Sequence, residues 1–177
     1  MKKEKNKDNI LNSSLAYISK NGLENFSMRK LANSLQCQPA SIYYYYESKE
    51  EILNDLYLKI RNDFINSFEI IMEPQLSKHD FIRFIIENAL EHREEYIFLN
   101  NYVKSSFMNR ENIRLAKSMN DDISHKMRVK LGPNPSKEDF IILTGTIYQL
   151  VKLEKKDYQR ININLIIDKL IMMMEVN

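Results

Sequence analysis

The chain has 177 residues, of which 44% are hydrophobic and 28% charged, so its composition is that of a globular protein rather than a disordered one. Its net charge is +2, and residues 1–60 carry the whole excess, with nine Lys or Arg against seven Asp or Glu. Only three glycines are present, far apart in sequence, so the chain has neither a G-x-x-x-x-G-K loop nor a G-x-G-x-x-G fingerprint, which excludes nucleotide-dependent enzymes of those two kinds.

The cysteine and histidine content argues against disulfides and metal sites. The single cysteine, Cys37, cannot form an internal disulfide and suits a reducing compartment. The three histidines have no metal-ligand spacing, and no serine or cysteine lies in a nucleophile motif, so we expect no metal, no cofactor and no catalytic activity. No signal segment is recognisable, and the apolar run at 170–174 is too short to span a bilayer, so we expect a cytoplasmic protein without a membrane partner.

Apolar residues recur with helical spacing in the first third of the chain. The first helix is expected to end at Asn21-Gly22, a typical helix stop, and Ser27 is expected to cap the second. A third helix is expected to begin at Pro39, since proline suits the first helical position. A fourth is expected to begin at Lys49, after a capping box formed by Ser48-x-x-Glu51.

The rest of the chain continues this pattern. We expect helices over roughly 78–92, 94–104, 110–130 and 137–155, and a last one from about residue 162. The clearest break is Gly132-Pro-Asn-Pro135. With no alternating strand pattern, the sequence predicts an all-α fold of about nine helices.

The second and third helices are separated only by residues 36–38. Two short helices around such a turn, the second rich in polar and aromatic groups, are typical of a helix-turn-helix. The second helix of that motif enters the major groove of DNA. Short helix pairs also occur in ordinary bundles, so the spacing alone leaves open an all-α interaction protein that does not bind DNA.

Residues 8–60 resemble the DNA-binding domain of the tetracycline-repressor-like (TetR/AcrR) transcriptional regulators. The resemblance rests on the segment ILNSSLAYISKNGLENFSMRKLANSLQCQPASIYYYYESKEEIL, in which an apolar first helix precedes the motif. The positions that match the family pattern are Gly22, Phe26, Ser27, Leu31-Ala32, Ile42-Tyr43, Tyr46, Lys49 and Ile52-Leu53. The remaining residues fit the family by length and number of helices.

Two features depart from the usual family residues: the turn, and the identity of the aromatic residue at position 46. The turn reads Gln36-Cys37-Gln38, where the family usually has a glycine, an apolar residue and a serine. A left-handed residue other than glycine costs about 1–2 kcal/mol, so we expect slight strain at this turn. Tyr46 stands where the family has phenylalanine. Cys37 occupies the apolar position and is expected to be buried; a redox switch is the alternative.

The resemblance implies a DNA-binding domain at residues 4–64, with its helix-turn-helix motif at 27–46, and an effector-binding and dimerisation domain at 65–177. It implies a homodimeric repressor that a small-molecule effector releases from a palindromic double-stranded DNA operator. An activator of the same fold is the first alternative, and a protein-interaction module without DNA binding is the second.

The expected DNA contacts come from the second and third helices. By helical angle, Tyr46 is expected to lie in the core and Tyr44 and Tyr45 to face outward, whereas the resemblance implies that Tyr43 touches a phosphate while its ring packs inward. For each candidate the alternative is an exposed side chain with no partner, and the lysines at 2, 3, 5 and 7 either follow the DNA or form a solubilising tail. The candidate DNA-contacting residues are Ser27, Arg29, Gln38, Pro39, Ala40, Ser41, Tyr43, Tyr44, Tyr45 and Lys49.

The resemblance also implies an effector pocket among helices five to eight and a dimer interface on the last two helices. The candidate pocket residues are Tyr96, Asn100, Tyr102, Phe107, Tyr148 and Gln149. The candidate interface residues are Phe140, Ile147, Ile163, Ile167, Leu170 and Met174. The alternatives are ordinary core or surface positions for the first set and a closed monomer core for the second.

Overall fold

The computed structural model describes residues 7–70, 76–131, 136–153 and 155–175, and all regular structure in these ranges is helical. The all-α prediction is confirmed. In chain order the helices are α1 (Lys7–Asn21), α2 (Met28–Ser34), α3 (Ala40–Tyr43), α4 (Lys49–Ile70), α5 (Lys78–Glu91), α6 (Arg93–Tyr102), α7 (Arg110–Leu131), α8 (Lys137–Lys152), α9 (Lys155–Tyr158) and α10 (Ile163–Glu175). The predicted break at Gly132–Pro135 and the lysines at 2, 3 and 5 lie outside the described residues.

The helix boundaries follow the capping signals of the sequence. Gly22 ends α1 with a positive φ of 82°, a conformation that glycine adopts at little cost. The Ser27 hydroxyl accepts a hydrogen bond from the Lys30 amide at 3.3 Å, which caps α2. Ser77 and Ser136 cap α5 and α8 in the same way.

Two boundaries differ in detail from the prediction. At the start of α4 the Ser48 hydroxyl accepts from the Glu51 amide, but the Glu51 carboxylate accepts from the amide of Glu47 rather than from that of Ser48. The capping box is therefore only half formed. The eighth helix ends at Lys152, three residues earlier than predicted, because Leu153 is extended, and the single turn α9 follows it.

The helices enclose two hydrophobic cores. The first lies among α1, α2, α3 and the first half of α4, and it also takes in Phe98 and Tyr102 of α6. The second lies among α5, α7, α8 and α10. Within the described residues, no helix combines the length and apolar character needed to cross a bilayer. Because α6 contributes two aromatic rings to the first core, the helix-turn-helix is supported directly by the remainder of the chain.

A buried polar junction joins α4 to α6 and α7. The Asn112 side chain on α7 is 1% exposed and donates hydrogen bonds to Asn54 Oδ1 on α4 at 2.8 Å and to the Tyr102 hydroxyl on α6 at 3.1 Å. Beside it, the ring of Tyr102 lies 5.3 Å from that of Tyr57 on α4 and stacks on Phe98 at 5.4 Å. Burial raises the pKa of both Tyr57 and Tyr102, so these phenols stay neutral.

Candidate nucleic-acid interface and ligand cavity

The helix-turn-helix motif is held in place by the inward face of α3. Ile42 is fully buried and Tyr46 is 1% exposed, and both belong to the first core. Hydrogen bonds from the Tyr44 amide to Ala40 and from the Tyr46 amide to Ile42 continue the helical geometry beyond the end of α3. Burial, together with the nearby carboxylate of Asp55, raises the pKa of Tyr46, which therefore stays neutral.

The turn between α2 and α3 has the strain that the sequence predicts. Gln36 has a φ of 52°, and it is the one residue other than glycine with a positive φ in the described ranges. The Cys37 amide donates to the Ala32 carbonyl at 2.9 Å, which closes the turn, and the half-buried Cys37 side chain packs against the first core. Gln36 therefore takes the conformation that glycine adopts most easily.

The strain at Gln36 gives a direct stability test. Gln36→Gly is expected to raise the free energy of unfolding by about 1 kcal/mol, since glycine removes the left-handed penalty of 1–2 kcal/mol but adds backbone entropy to the unfolded chain. Urea denaturation measures the change, with Asn33→Gly in the exposed last turn of α2 as the matched control. That control is expected to lose stability, and a loss at Gln36→Gly as well would show that the turn is unstrained.

The four tyrosines divide differently from the prediction. Tyr44 is 83% exposed, as predicted, but Tyr43 is also 53% exposed, whereas Tyr45 is half-buried and packs against the first core. Residues advance about 100° around a helix, so Tyr45 lies about 60° from the buried Ile42 and Tyr43 lies about 100° from it. The expected outward position of Tyr45 and the expected inward packing of the Tyr43 ring are therefore both corrected. Tyr45 meets Tyr44 edge-on, with ring centroids 5.0 Å apart.

The outer face of the motif is polar and contains no acidic residue. From Ser27 to Tyr46 the sequence has no Asp or Glu, and both of its basic residues, Arg29 and Lys30, are exposed on α2. The exposed side chains at the start of α3 and before it are those of Gln38, Ala40 and Ser41, with Pro39 half-buried between them. Such a face attracts phosphate oxygens, and its side chains can reach the base edges in the groove. Lys30 is not among the candidate DNA-contacting residues, although it is exposed beside Arg29.

Lys49 has an intramolecular contact that the sequence did not predict. Its ammonium lies 4.3 Å from the centroid of the Phe107 ring, in the loop between α6 and α7. Lysine over an aromatic face is an attractive arrangement, worth about 0.5–1 kcal/mol when exposed. The contact links the start of α4, immediately after the motif, to the loop that follows α6.

A cavity of about 280 Å³ lies among α4, α5, α6, α7 and α8. Its wall is mostly apolar and carries no charged side chain; its polar members are Tyr96, Asn100, Asn120, Thr144 and Tyr148. The other lining residues are Phe64, Ile85, Leu99, Val103, Ala116, Met119, Ile123, Met127, Phe140, Leu143 and Ile147. Concave, largely apolar sites with a few polar groups are typical of small-molecule binding.

The cavity includes three of the six candidate pocket residues. Tyr96, Asn100 and Tyr148 line it, and burial raises the pKa of Tyr96, so its phenol is a neutral hydrogen-bonding group. Tyr102 instead lies in the first core, Phe107 packs against that core, and Gln149 is exposed in a groove on another side of α8. None of the six candidate pocket residues lies on α7, although α7 forms one wall of the cavity. The lining residues of α7, at 116, 119, 120, 123 and 127, have helical spacing in the sequence.

Half of the candidate interface residues are already buried within the protomer. Ile147, Ile167 and Leu170 belong to the second core, so their side chains are not available to a partner chain. Phe140, Ile163 and Met174 are partly buried against the same core. The exposed apolar side chains of α8 and α10 are instead those of Ile141, Leu165, Met172 and Met173.

A shallow groove runs along the exposed side of α8. It is lined by Ile141, Ile142, Gly145, Thr146, Gln149, Leu150 and Leu153. A Cβ atom added to Gly145 would meet nothing within 4 Å, so the space in front of this glycine is open. Exposed apolar side chains beside an open groove are typical of a protein–protein contact.

Comparison with known proteins places these features in a family context. Residues 10–56 match the family model of the bacterial regulatory proteins, tetR family. No curated protein matches the sequence. A solved TetR family transcription regulator from Marinobacter aquaeolei VT8 is 18% identical, with 95% of this chain and 92% of that chain covered and a TM-score of 0.72.

Two further solved structures show how widely this fold is used. FadR from Bacillus subtilis, in complex with stearoyl-CoA, is 16% identical over 93% of this chain and 95% of that chain, with a TM-score of 0.64. The superantigen PfiT is 16% identical over 97% of this chain and 96% of that chain, with a TM-score of 0.68. At these identities the similarity establishes the fold, and the function has to be argued from the residues of this chain.

Proposed function

We propose that this chain, whose residues 10–56 match the model of the bacterial regulatory proteins, tetR family, binds double-stranded DNA and represses transcription as a homodimer. This proposal is supported by the outer face of the motif, which contains no acidic residue. Its exposed side chains include those of Arg29, Lys30, Gln38, Ser41 and Tyr44. The buried Ile42 and Tyr46 fix this face to the first core, so its side chains are presented on a rigid support.

Selection from a random DNA pool tests this proposal. A dimer presents two recognition helices, so the enriched sequence is expected to be a near-palindrome whose half-sites lie one helical turn apart, about 34–36 Å, or a multiple of that. The Tyr44→Ala variant serves as the comparison protein in the same selection. Enrichment of no sequence at all by the wild type would reject the proposal.

The dimer is proposed to form through the exposed side of α8 and α10. Ile141, Leu165, Met172 and Met173 supply apolar area, and the open space at Gly145 lets a partner helix approach closely. Two copies packed through this surface would form a four-helix contact with two-fold symmetry.

The effect of a charge on this surface tests the interface. Ile141→Glu, at a side chain that is 68% exposed, is expected to make the protein monomeric, because a two-fold contact would bury the new carboxylate twice. Light scattering after size exclusion measures the mass. Ile113→Glu, at an exposed isoleucine of α7, is the matched control and is expected to stay dimeric. An Ile141→Glu protein with the mass of a dimer would place the interface elsewhere.

The cavity is proposed to hold the effector. It is lined by α6 and α7, and the junction at Asn112 joins these two helices to α4, which begins just after the motif. An effector that prefers one arrangement of this junction would change the spacing of the two DNA-binding units. A coupling of about 1–3 kcal/mol would lower DNA affinity some 5- to 150-fold. Binding of stearoyl-CoA by FadR shows that a protein of this fold can hold a small molecule.

A further inference from the structure

Two lysines lie just outside the apolar wall of the cavity, against the ring of Tyr148. Tyr148 on α8 forms part of the wall, and two ammonium groups lie against its ring: that of Lys152 at 4.6 Å and that of Lys104 at 5.6 Å from the ring centroid. The Lys104 ammonium also donates a hydrogen bond to Asn100 Oδ1 at 2.9 Å, and Asn100 is itself a lining residue. Both cations are therefore tied to residues of the wall.

These two charges are not neutralised within the described part of the chain. None of the ion pairs formed there involves Lys104 or Lys152. Both ammonium groups lie against one ring, so they are within about 10 Å of each other. This separation is no more than about one Debye length at 0.1 M salt, so salt does not fully screen their repulsion. An anion that reached both ammonium groups would offset that repulsion and gain two attractions.

A second, smaller cavity that shares two lining residues with the first has acidic side chains. Phe64 and Tyr96 meet edge-on, with ring centroids 5.1 Å apart, and they separate the main cavity from the smaller one, which is about 180 Å³. Asp63, His92 and Glu95 line that smaller cavity. An anionic group is therefore disfavoured beside the smaller cavity and favoured beside Tyr148.

We propose that the effector is an amphipathic anion, with an apolar chain inside the cavity and an anionic head paired with Lys104 and Lys152. The inference rests on the proposed function only in taking this cavity as the effector site. A cavity of about 280 Å³ lies at the lower limit of the roughly 300–1,000 Å³ that small-molecule sites occupy. The chain of such a ligand is therefore short, on the scale of an eight-carbon acyl group.

Three probes of equal chain length test the head group. Octanoate, 1-octanol and octylamine are titrated into the DNA-free dimer by calorimetry at low salt and neutral pH. Octanoate is expected to bind about fivefold more tightly than octanol, the ratio that two exposed ion pairs supply, and octylamine more weakly than either. Equal affinity for octanoate and octanol, tighter binding of octylamine, or binding of none of the three would overturn the proposal.

Two double variants test whether Lys104 and Lys152 bind the anionic head group. Lys104→Gln with Lys152→Gln is expected to abolish the preference for octanoate over octanol while leaving octanol affinity unchanged. Lys20→Gln with Arg128→Gln removes the same charge from exposed positions that neither line the cavity nor belong to the helix-turn-helix, and is expected to keep the preference. A preference that survives in the first pair, or that disappears equally in both, would contradict the assignment. DNA binding is measured separately on each protein, so its failure is distinguishable from failure of ligand binding.

Discussion

Replacing Tyr44 with alanine is expected to weaken operator binding by about 5- to 150-fold, the 1–3 kcal/mol typical of a side chain that contacts a base. Tyr44 is 83% exposed and belongs to no core, so its ring is available to the major groove. The free energy of unfolding is expected to change by less than about 0.5 kcal/mol, as for other surface substitutions. Fluorescence anisotropy with labelled DNA and urea denaturation measure the two quantities on the same preparation.

Tyr46→Phe is the control for this experiment. The Tyr46 hydroxyl is buried in the first core beside Asp55 and away from the outer face of the motif, so its removal is expected to leave DNA affinity unchanged. A Tyr44→Ala protein that loses stability in proportion to its loss of affinity would show that this ring is structural.

Replacing Asn112 with alanine is expected to lower the free energy of unfolding by about 2–4 kcal/mol, because it removes two buried hydrogen bonds and leaves a cavity. The partners affected are Asn54 on α4 and Tyr102 on α6. Since α6 and α7 line the cavity and α4 follows the motif, we also expect the effector to release DNA less efficiently from this variant. Urea denaturation measures the first effect, and anisotropy with and without octanoate measures the second.

Asn101→Ala provides the comparison for Asn112. Asn101 is exposed on α6, and its substitution is expected to change stability by less than about 0.5 kcal/mol. A loss below about 1 kcal/mol in Asn112→Ala would mean that the buried hydrogen bonds contribute little to the junction.

Local signals in the sequence predicted the helices and their ends well. Ser27 caps α2 and Gly22 ends α1, as predicted. These interactions span only three or four residues, so a short stretch of sequence contains all the information that determines them.

The wrong predictions concern side chains whose burial depends on where the core lies relative to their helix. Periodicity shows that α3 has an inner face, but the centre of that face is set by its packing in the first core, which places Tyr45 inward and Tyr43 outward. Tyr102 has the polar and aromatic character expected of a pocket residue, yet it lies on the side of α6 that faces the first core. The apolar stripes of α8 and α10 pack within the protomer, so Ile147, Ile167 and Leu170 are core residues.

The outer face of the helix-turn-helix is proposed to bind DNA through its phosphates. The most direct test is anisotropy with the DNA beside the gene of this protein, titrated from 50 to 200 mM salt. Proteins with 6–10 phosphate contacts lose about 10³–10⁵ in affinity over that range, and here we expect tight binding at low salt, with a linear fall of log affinity against log salt concentration. Absence of binding at low salt, or an affinity independent of salt, would contradict the account.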